Sequence, residues 1–515
     1  MYTHRCFFDS ILKHVSCTIM ALGFFAAHAI AQQTEKLPVT ETKTVGIQTV
    51  KDYLKKLSTD PNFQYAQIGF SLKSIASGKT LLDVNGGKSL SVASNTKLIT
   101  TSTALAILGE DFTFKTSIEY TGKIDASGTL NGDIIIHGGG DPTLGSDRYK
   151  GFPEMDELLK LWVEKIKALK IKKITGSIIA DQEIFEENNI PDSWMWMDIG
   201  NYYGAGVYGI NINENLYRLY FKKNTQIGSA AEILKTDPII PDLQFNNFVT
   251  VDAKGSGDNC YIYGQPYCND KFLKGTIPSG DINFFVKGAI PDPSFLTAHY
   301  LKGIMVAAGI SVGGAAITSR QMNIQSKALP TERKLIYTHN SPMLKDIILL
   351  TNQLSINMYA EAILKMIGYK STGKGTTIDG ISAIETYWKS KGLNMPGFFM
   401  ADGCGLSPMS TFTANQMTDI LKITSSAKYY NAFKASLPVA GVSGTLSGFC
   451  KGTAAENNLC AKSGNMMRVS SYAGYVKNAA GELLCFTLCF NNFGADNYVI
   501  KKKVEKVMAL LAEMK

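Results

Sequence analysis

The sequence predicts an α/β (α+β) architecture in which one antiparallel sheet is flanked by helices and interrupted by a large, mostly-β insertion. Three observations predict it. Residues 66–84 read as a strand hairpin, residues 459–490 as further strands, and helical patterns precede or follow both. Strands from both ends of the chain then meet in one sheet, whose apolar face needs helices to cover it. Between these pieces, residues 112–330 carry short strands and turns.

The first residues read as an export leader. Arg5 and Lys13 lie in a basic start, Thr18–Ala27 is largely apolar, and Ala29-Ile30-Ala31 forms a small-x-small cleavage site. The apolar run falls short of the roughly 20 residues that span a bilayer. Cleavage near Ala31 and a periplasmic location are therefore expected, with no stable membrane span and with peripheral association left open. Residues 1–31 are set aside as a signal peptide.

Ala66–Leu72 alternates apolar and polar residues, Ala76-Ser77-Gly78 turns, and Lys79–Val84 returns. A helix opens near Ser94, places Leu98, Leu105 and Leu108 on its inner side, and stops at Gly109. In the insertion, Gly138-Gly-Gly-Asp-Pro-Thr143 tempts one towards a phosphate loop, but no Gly-Lys-Ser/Thr follows, so a tight strand-end turn is expected. Residues 296–312 read as a helix followed by a strand. Long helical patterns resume at 342–368 and 377–391, and a turn-rich stretch holds Asp402–Ser407 and Leu437–Gly441. Strands follow at 459–463, 472–476 and 483–490, and a last amphipathic helix covers 501–515. One domain is thus expected from 32–111 and 331–515, with 112–330 inserted as two smaller domains.

Composition narrows the chemistry. Of the 515 residues 45% are hydrophobic and 19% charged, which fits a globular chain with ample core. The net charge of +8 is mild for this length, and its only basic run, Lys501–Lys503, reads as a solvated helix face; no nucleic acid is expected. Beyond the leader, His137, His299 and His339 are scattered without metal-ligand spacing, so neither a metal site, a cofactor nor a Ser-His-Asp triad is expected. An oxidising compartment makes Cys260–Cys268 and Cys450–Cys460 candidate short-loop disulfides. Cys485 and Cys489 cannot pair if one extended strand carries both, because their Cα atoms then lie beyond the roughly 7 Å limit.

The candidate chemistry begins at Ser94 and Lys97, one helical turn apart, where a lysine amine can take the proton of a serine hydroxyl. Alone the pair means little, because Ser-x-x-Lys recurs at Ser10, Ser371 and Ser425. Its weight comes from Ser355-Ile356-Asn357 and Lys462-Ser463-Gly464, which follow in the order found in penicillin-binding proteins and class A β-lactamases. With flanking Leu108–Phe112, Gly138–Thr143, Ala360-Glu361, Asp402–Ser407, Leu437–Gly441 and Tyr472–Tyr475, the chain resembles the D-alanyl-D-alanine carboxypeptidase/endopeptidase family of low-molecular-mass class C penicillin-binding proteins, peptidase family S13. The 261 positions from Ser94 to Ser355 leave room for the domains this family inserts, where a β-lactamase has a short connection.

The resemblance implies a β-lactamase-like transpeptidase fold and an acyl-enzyme on Ser94. Lys97 is then the base, Ser355 and Lys462 carry the proton to the leaving amine, and Asn357 holds the substrate amide. Ser463, Gly464 and Asn465 line the substrate strand, with backbone N–H groups of Ser94 and Asn465 around the oxyanion. Peptidoglycan stem peptides are the implied substrates and β-lactam antibiotics covalent inhibitors. Around Pro191–Tyr203 the resemblance implies a pocket for the stem peptide's diamino acid, with Asp198 or Asp192 meeting its amine and Trp194, Trp196 and Tyr202 as walls. Cys404 and Asn465 depart from the family's usual Ser and Thr. A β-lactamase and a non-enzymatic wall-binding protein are the competing readings.

Overall fold

The computed structural model describes residues 45–280 and 282–515, so the expected export leader over 1–31 lies outside the described residues. Its central sheet is antiparallel, in the order Thr80–Val84, Gln67–Ser74, Leu483–Asn491, Val469–Lys477, Cys460–Met466. The two ends of the chain join where Gln67–Ser74 pairs with Leu483–Asn491 in unbroken register, from Gln67 opposite Asn491 to Ser74 opposite Leu484. Period-two alternation decides what each face covers. Leu484, Phe486, Leu488 and Phe490 pack on the terminal helices Ile47–Ser58 and Asn497–Glu513, while Cys485 and Cys489 face the opposite layer. A slip of one residue would exchange the two sets, so this register is strongly specified.

The opposite layer is built from helices, chiefly Thr96–Ile107, Leu344–Gln353, Asn357–Thr372, Thr377–Ser390 and Ala414–Thr424. Thr96–Ile107 is buried from Thr96 through Leu105 although it reads Thr-Lys-Leu-Ile-Thr-Thr-Ser-Thr at its start. Burial without a partner would cost each hydroxyl dearly. Thr101, Ser102 and Thr103 instead donate to the carbonyls of Lys97, Leu98 and Ile99, four residues earlier, at 2.6, 2.6 and 2.7 Å. The α+β reading with a helix-flanked antiparallel sheet describes this body.

The insertion leaves after the Thr96–Ile107 helix. Its largest sheet runs Ala316–Thr318, Ile178–Asp181, Ile134–His137, Lys115–Tyr120, Lys334–Asn340, and the chain returns to the helical layer beyond Asn340. Smaller sheets share a core with it that spans Ile118 to Ile310. A helix not expected among these short strands spans Met155–Ala168, with Met155, Leu158, Leu159, Trp162, Val163 and Ile166 as its buried stripe. Gly138–Thr143 does close a strand end. A Cβ on Gly139 would sit 1.9 Å from the Lys115 carbonyl oxygen, so glycine is what lets this turn pass the neighbouring strand.

The described cysteines are all unbridged, so the two suspected disulfides are corrected. Cys450 packs against Met508 at 3.7 Å on the terminal-helix face of the sheet, whereas Cys460 belongs to the helical layer on the other face. Cys260 points into the insertion core, while the Cys268 thiol reaches the Asp270 carbonyl at 3.6 Å instead.

Candidate active site

Ser94 occupies a single 3-10 turn, Ala93–Asn95, that runs into the Thr96–Ile107 helix. Ala93 takes a left-handed φ of 46°, a conformation that costs a residue with a Cβ and is held only where neighbours impose it. Here Thr96 Oγ1 donates to the Ala93 carbonyl at 2.9 Å, and a Cβ on Gly405 would lie 1.9 Å from the same oxygen. The turn is clamped, and it leaves the Ser94 hydroxyl partly exposed.

Lys97 is fully buried and its Nζ has three neighbours: Ser94 Oγ at 3.0 Å, Asn357 Oδ1 at 2.6 Å and the Cys404 carbonyl oxygen at 2.7 Å. Two of these are pure acceptors. The N–H bonds of the amine serve these two in either charge state, and in the neutral form its lone pair faces the serine hydroxyl, the one partner able to donate in return. Burial lowers the Lys97 pKa from 10.5, against the raising influence of Cys404, Asp402 and Glu361. Lys462 is also buried, and burial together with the Lys97 charge holds its pKa well below 10.5.

Lys462 Nζ donates to Ser355 Oγ at 3.0 Å and to the Ser463 carbonyl at 2.7 Å. Ser355 has a left-handed φ of 59° and lies just before the Asn357–Thr372 helix. Asn357 faces two ways, accepting from Lys97 and donating through Nδ2 to the Tyr203 carbonyl of the insertion at 2.8 Å. On the edge strand Cys460–Met466, Ser463 Oγ donates to Thr445 Oγ1 at 2.7 Å, and exposed Asn465 accepts from Ser470 Oγ at 2.9 Å. A Cβ on Gly464 would stand 2.3 Å from the Val92 carbonyl oxygen and 2.9 Å from Ser94 N. Only glycine lets this strand lie against the Ser94 turn. The structure thus brings Ser94, Lys97, Ser355, Asn357, Lys462, Ser463 and Gly464 to one place from three distant stretches of sequence.

A model of the D-Ala-D-Ala carboxypeptidase 3 (S13) family matches residues 50–514. The chain belongs to that family. These are serine-type carboxypeptidase hydrolases. The S13 chain is 26% identical over 449 residues to a D-alanyl-D-alanine carboxypeptidase of Actinomadura sp. (strain R39), covering 84% of this chain and 79% of that one. It is 24% identical over 499 residues to the D-alanyl-D-alanine carboxypeptidase DacB of Haemophilus influenzae, covering 96% of each. The crystal structure of penicillin binding protein 4 (dacB) from Haemophilus influenzae shares the fold, with a TM-score of 0.73 at 23% identity over 90% of this chain and 97% of that one.

The S13 site rests on a buried hub that sequence reasoning only grazes. Asp402 accepts from Gly405 N at 3.0 Å, Ser407 N at 2.7 Å, Ser410 Oγ at 2.9 Å and Trp194 Nε1 at 3.0 Å. Those bonds fix the loop whose Cys404 carbonyl meets Lys97. Glu361, one turn along the helix from Asn357, is buried beside it, and burial with the Asp402 charge pushes its carboxyl up to about 8. Glu361, Asp402 and Cys404 bring three metal-capable atoms within 4.8 Å, but Asp402 is already saturated by N–H and O–H donors, so the donor set does not fit a cation. Burial raises the Cys404 thiol pKa well above 9.0, the condition of an inert side chain.

The predicted specificity residues separate. Trp194 is 5% exposed and belongs to the hub, so it does not wall an open pocket. Trp196 is 57% exposed, and Tyr202 lies edge-on to Tyr203 with Lys287 Nζ 5.7 Å from its ring. Asp192 is exposed and accepts from Asn188 at 3.2 Å. Asp198 is buried, its Oδ2 has no hydrogen-bond partner, and burial raises its pKa while the Tyr203 hydroxyl lowers it.

Proposed function

We propose that this peptidase cleaves the terminal D-Ala-D-Ala bond, or the D-Ala crosslink, of peptidoglycan stem peptides in the periplasm, and that β-lactams acylate it. The observation that carries the reading is the contact set of Lys97: two carbonyl acceptors and one hydroxyl, which suit a neutral base aimed at Ser94. As Ser94 Oγ bonds to the penultimate D-Ala carbonyl carbon, its proton passes to Lys97. The oxyanion is held by the N–H groups of Ser94 and Asn465, a contribution of roughly 3–4 kcal/mol in comparable sites. Cleavage of the C–N bond gives the leaving amine a proton from Ser355, which recovers it through Lys462. Two buried amines this close favour holding one proton between them. Water then hydrolyses the ester. Ser463 meets the substrate's terminal carboxylate, and Asn357 its amide.

Penicillin binding protein 4 (dacB) from Haemophilus influenzae, in a second structure with a TM-score of 0.70, is complexed with a β-lactam, which motivates the test. Wild type should retain a fluorescent penicillin and release D-Ala from a pentapeptide, and Ser94→Ala should do neither while unfolding at the same temperature. Rapid loss of label would mean a β-lactamase, and no label with no D-Ala release a non-enzymatic protein. Within this reading the diamino-acid side chain approaches Asp198, which must be uncovered from beside Tyr203 to meet the free amine. Asp198→Asn should then erase a preference for the free over the acetylated amine, and Asp192→Asn should not.

A further inference from the structure

The three-stranded sheet of the insertion, Gln244–Asp252, Asp270–Pro278 and Asn259–Tyr263, has one face in the core and one in solvent. Val249, Val251, Leu273, Ile277 and Ile262 fill the core face. The outer face ought by the same alternation to be polar. It is aromatic instead. Phe248 is 64% and Phe272 40% exposed, with ring centroids 5.1 Å apart. Phe272 meets Tyr263 at 5.8 Å, Tyr263 meets Trp196 at 6.2 Å, and Tyr261 flanks Tyr263 at 6.5 Å.

This ladder runs into the catalytic cleft. Trp196 begins the short helix that carries Asp198, and the following turn supplies the Tyr203 carbonyl that holds Asn357. Asn201 Oδ1 accepts from Ile262 N at 3.1 Å and locks that helix to the sheet. The exposed polar groups among the rings are mixed: Asn246 lies opposite Phe272, and Lys274 lies opposite both Phe248 and Tyr261. A membrane surface would call for a basic cluster, and a single lysine beside amide and phenol groups does not supply one. The rings are tilted against one another, by 38° for Phe248 and Phe272 and 60° for Phe272 and Tyr263, so they offer apolar faces and edges interleaved with hydrogen-bonding side chains, which suits a saccharide chain whose C–H groups pack on the rings while its hydroxyls and amides are met at the edges.

We propose that this face is a platform for the glycan strand of peptidoglycan, holding the polymer while its stem peptide enters the cleft. The proposal rests on the peptidase reading above, since continuity with the cleft is what identifies the polymer.

The test uses the full chain and the double variant Phe248→Ser/Phe272→Ser, both positions being solvent-exposed. Soluble β-linked N-acetylglucosamine oligomers are titrated against Trp fluorescence, and hydrolysis of intact peptidoglycan is compared with that of a free pentapeptide. Wild type is expected to bind the oligomer. The variant should lose about ten-fold in oligomer affinity and in activity on the polymer, as two stacking contacts are removed, with pentapeptide hydrolysis and penicillin labelling unchanged. Unaltered oligomer binding and polymer activity in the variant overturn the platform. So does an oligomer that never binds while the variant instead loses self-association in sedimentation or binding to anionic vesicles. If wild type shows neither penicillin labelling nor D-Ala release, the peptidase reading fails, and the oligomer titration still reports on the face by itself.

Discussion

A buried lysine amine with two carbonyl partners and one hydroxyl can face the hydroxyl with its lone pair, and burial favours the neutral form that has one. Because burial lowers the Lys97 pKa, penicillin acylation should rise with pH and level off below 10.5, where an ordinary lysine would still be protonated. Lys97→Arg should be inactive, since guanidinium cannot give up its proton. An unchanged rate in stopped-flow labelling would remove Lys97 from the base role. Glu361 makes a second pH prediction of defined sign. Its folded pKa of about 8 stands above the ordinary 4.5, so between those values the folded state keeps a proton that the unfolded chain releases. Stability from this group is therefore full below about 4.5 and is lost as pH rises towards 8. Urea midpoints from pH 5 to 8 should fall less steeply in Glu361→Gln than in wild type, and equal slopes would show the carboxyl ionised throughout. Ser94, Lys97 and Asn357 are legible in sequence because side-chain identity and spacing announce them. The Cys404 carbonyl is not, because a backbone acceptor leaves no residue-type signal.

At the level of elements, alternation makes the sheet readable: Leu483–Asn491 shows its two faces directly in its residues. Nearness in sequence is a poorer guide for Cys450 and Cys460, because it says nothing of the sheet that separates them. Met155–Ala168 escapes a reading dominated by the short strands around it, although its apolar spacing is helical. The edge strand carries the sharpest prediction here. Gly464→Ala would push Cys460–Met466 off the Ser94 turn, since the new methyl meets the Val92 carbonyl and Ser94 N. Displacements on the order of 1 Å cost about 100-fold in well-aligned sites, whereas overpacking costs about 1–3 kcal/mol of stability. Gly464→Ala should therefore remain folded by circular dichroism and lose at least about 100-fold in acylation rate. A variant that labels like wild type would mean that the strand stands clear of the nucleophile.

For the whole molecule, the distance from Ser94 to Ser355 announces an insertion but not what it does for the site. The structure shows it gripping the helix that begins at Asn357. Tyr203 O receives Asn357, Glu214 receives the Tyr359 hydroxyl at 2.7 Å, and Lys365 donates to Asn188 O at 2.7 Å and pairs with Glu186 at 3.1 Å. Phe185 and Val207 of the insertion are part of the helical layer's core. No residue pattern could foretell these contacts, because each joins segments more than a hundred residues apart. The Lys365 side chain is 1% exposed and its partner Glu186 23%, so removing the lysine leaves a half-buried carboxylate with the Thr377 N–H at 2.7 Å in place of its counter-charge. Lys365→Met keeps the aliphatic stem and should cost about 1–3 kcal/mol, read as a lowered urea midpoint. The grip also holds the segment from Glu186 to Tyr203 that bears Asp198, so its loss should weigh on the peptide more than on a β-lactam, which has no diamino-acid side chain to place. Lys365→Met should raise KM for the free-amine pentapeptide while penicillin labelling falls less, and Lys365→Met/Glu186→Leu should recover stability without recovering the KM. Equal losses on peptide and penicillin in Lys365→Met would mean that the pair supports the fold alone and leaves the specificity segment in place.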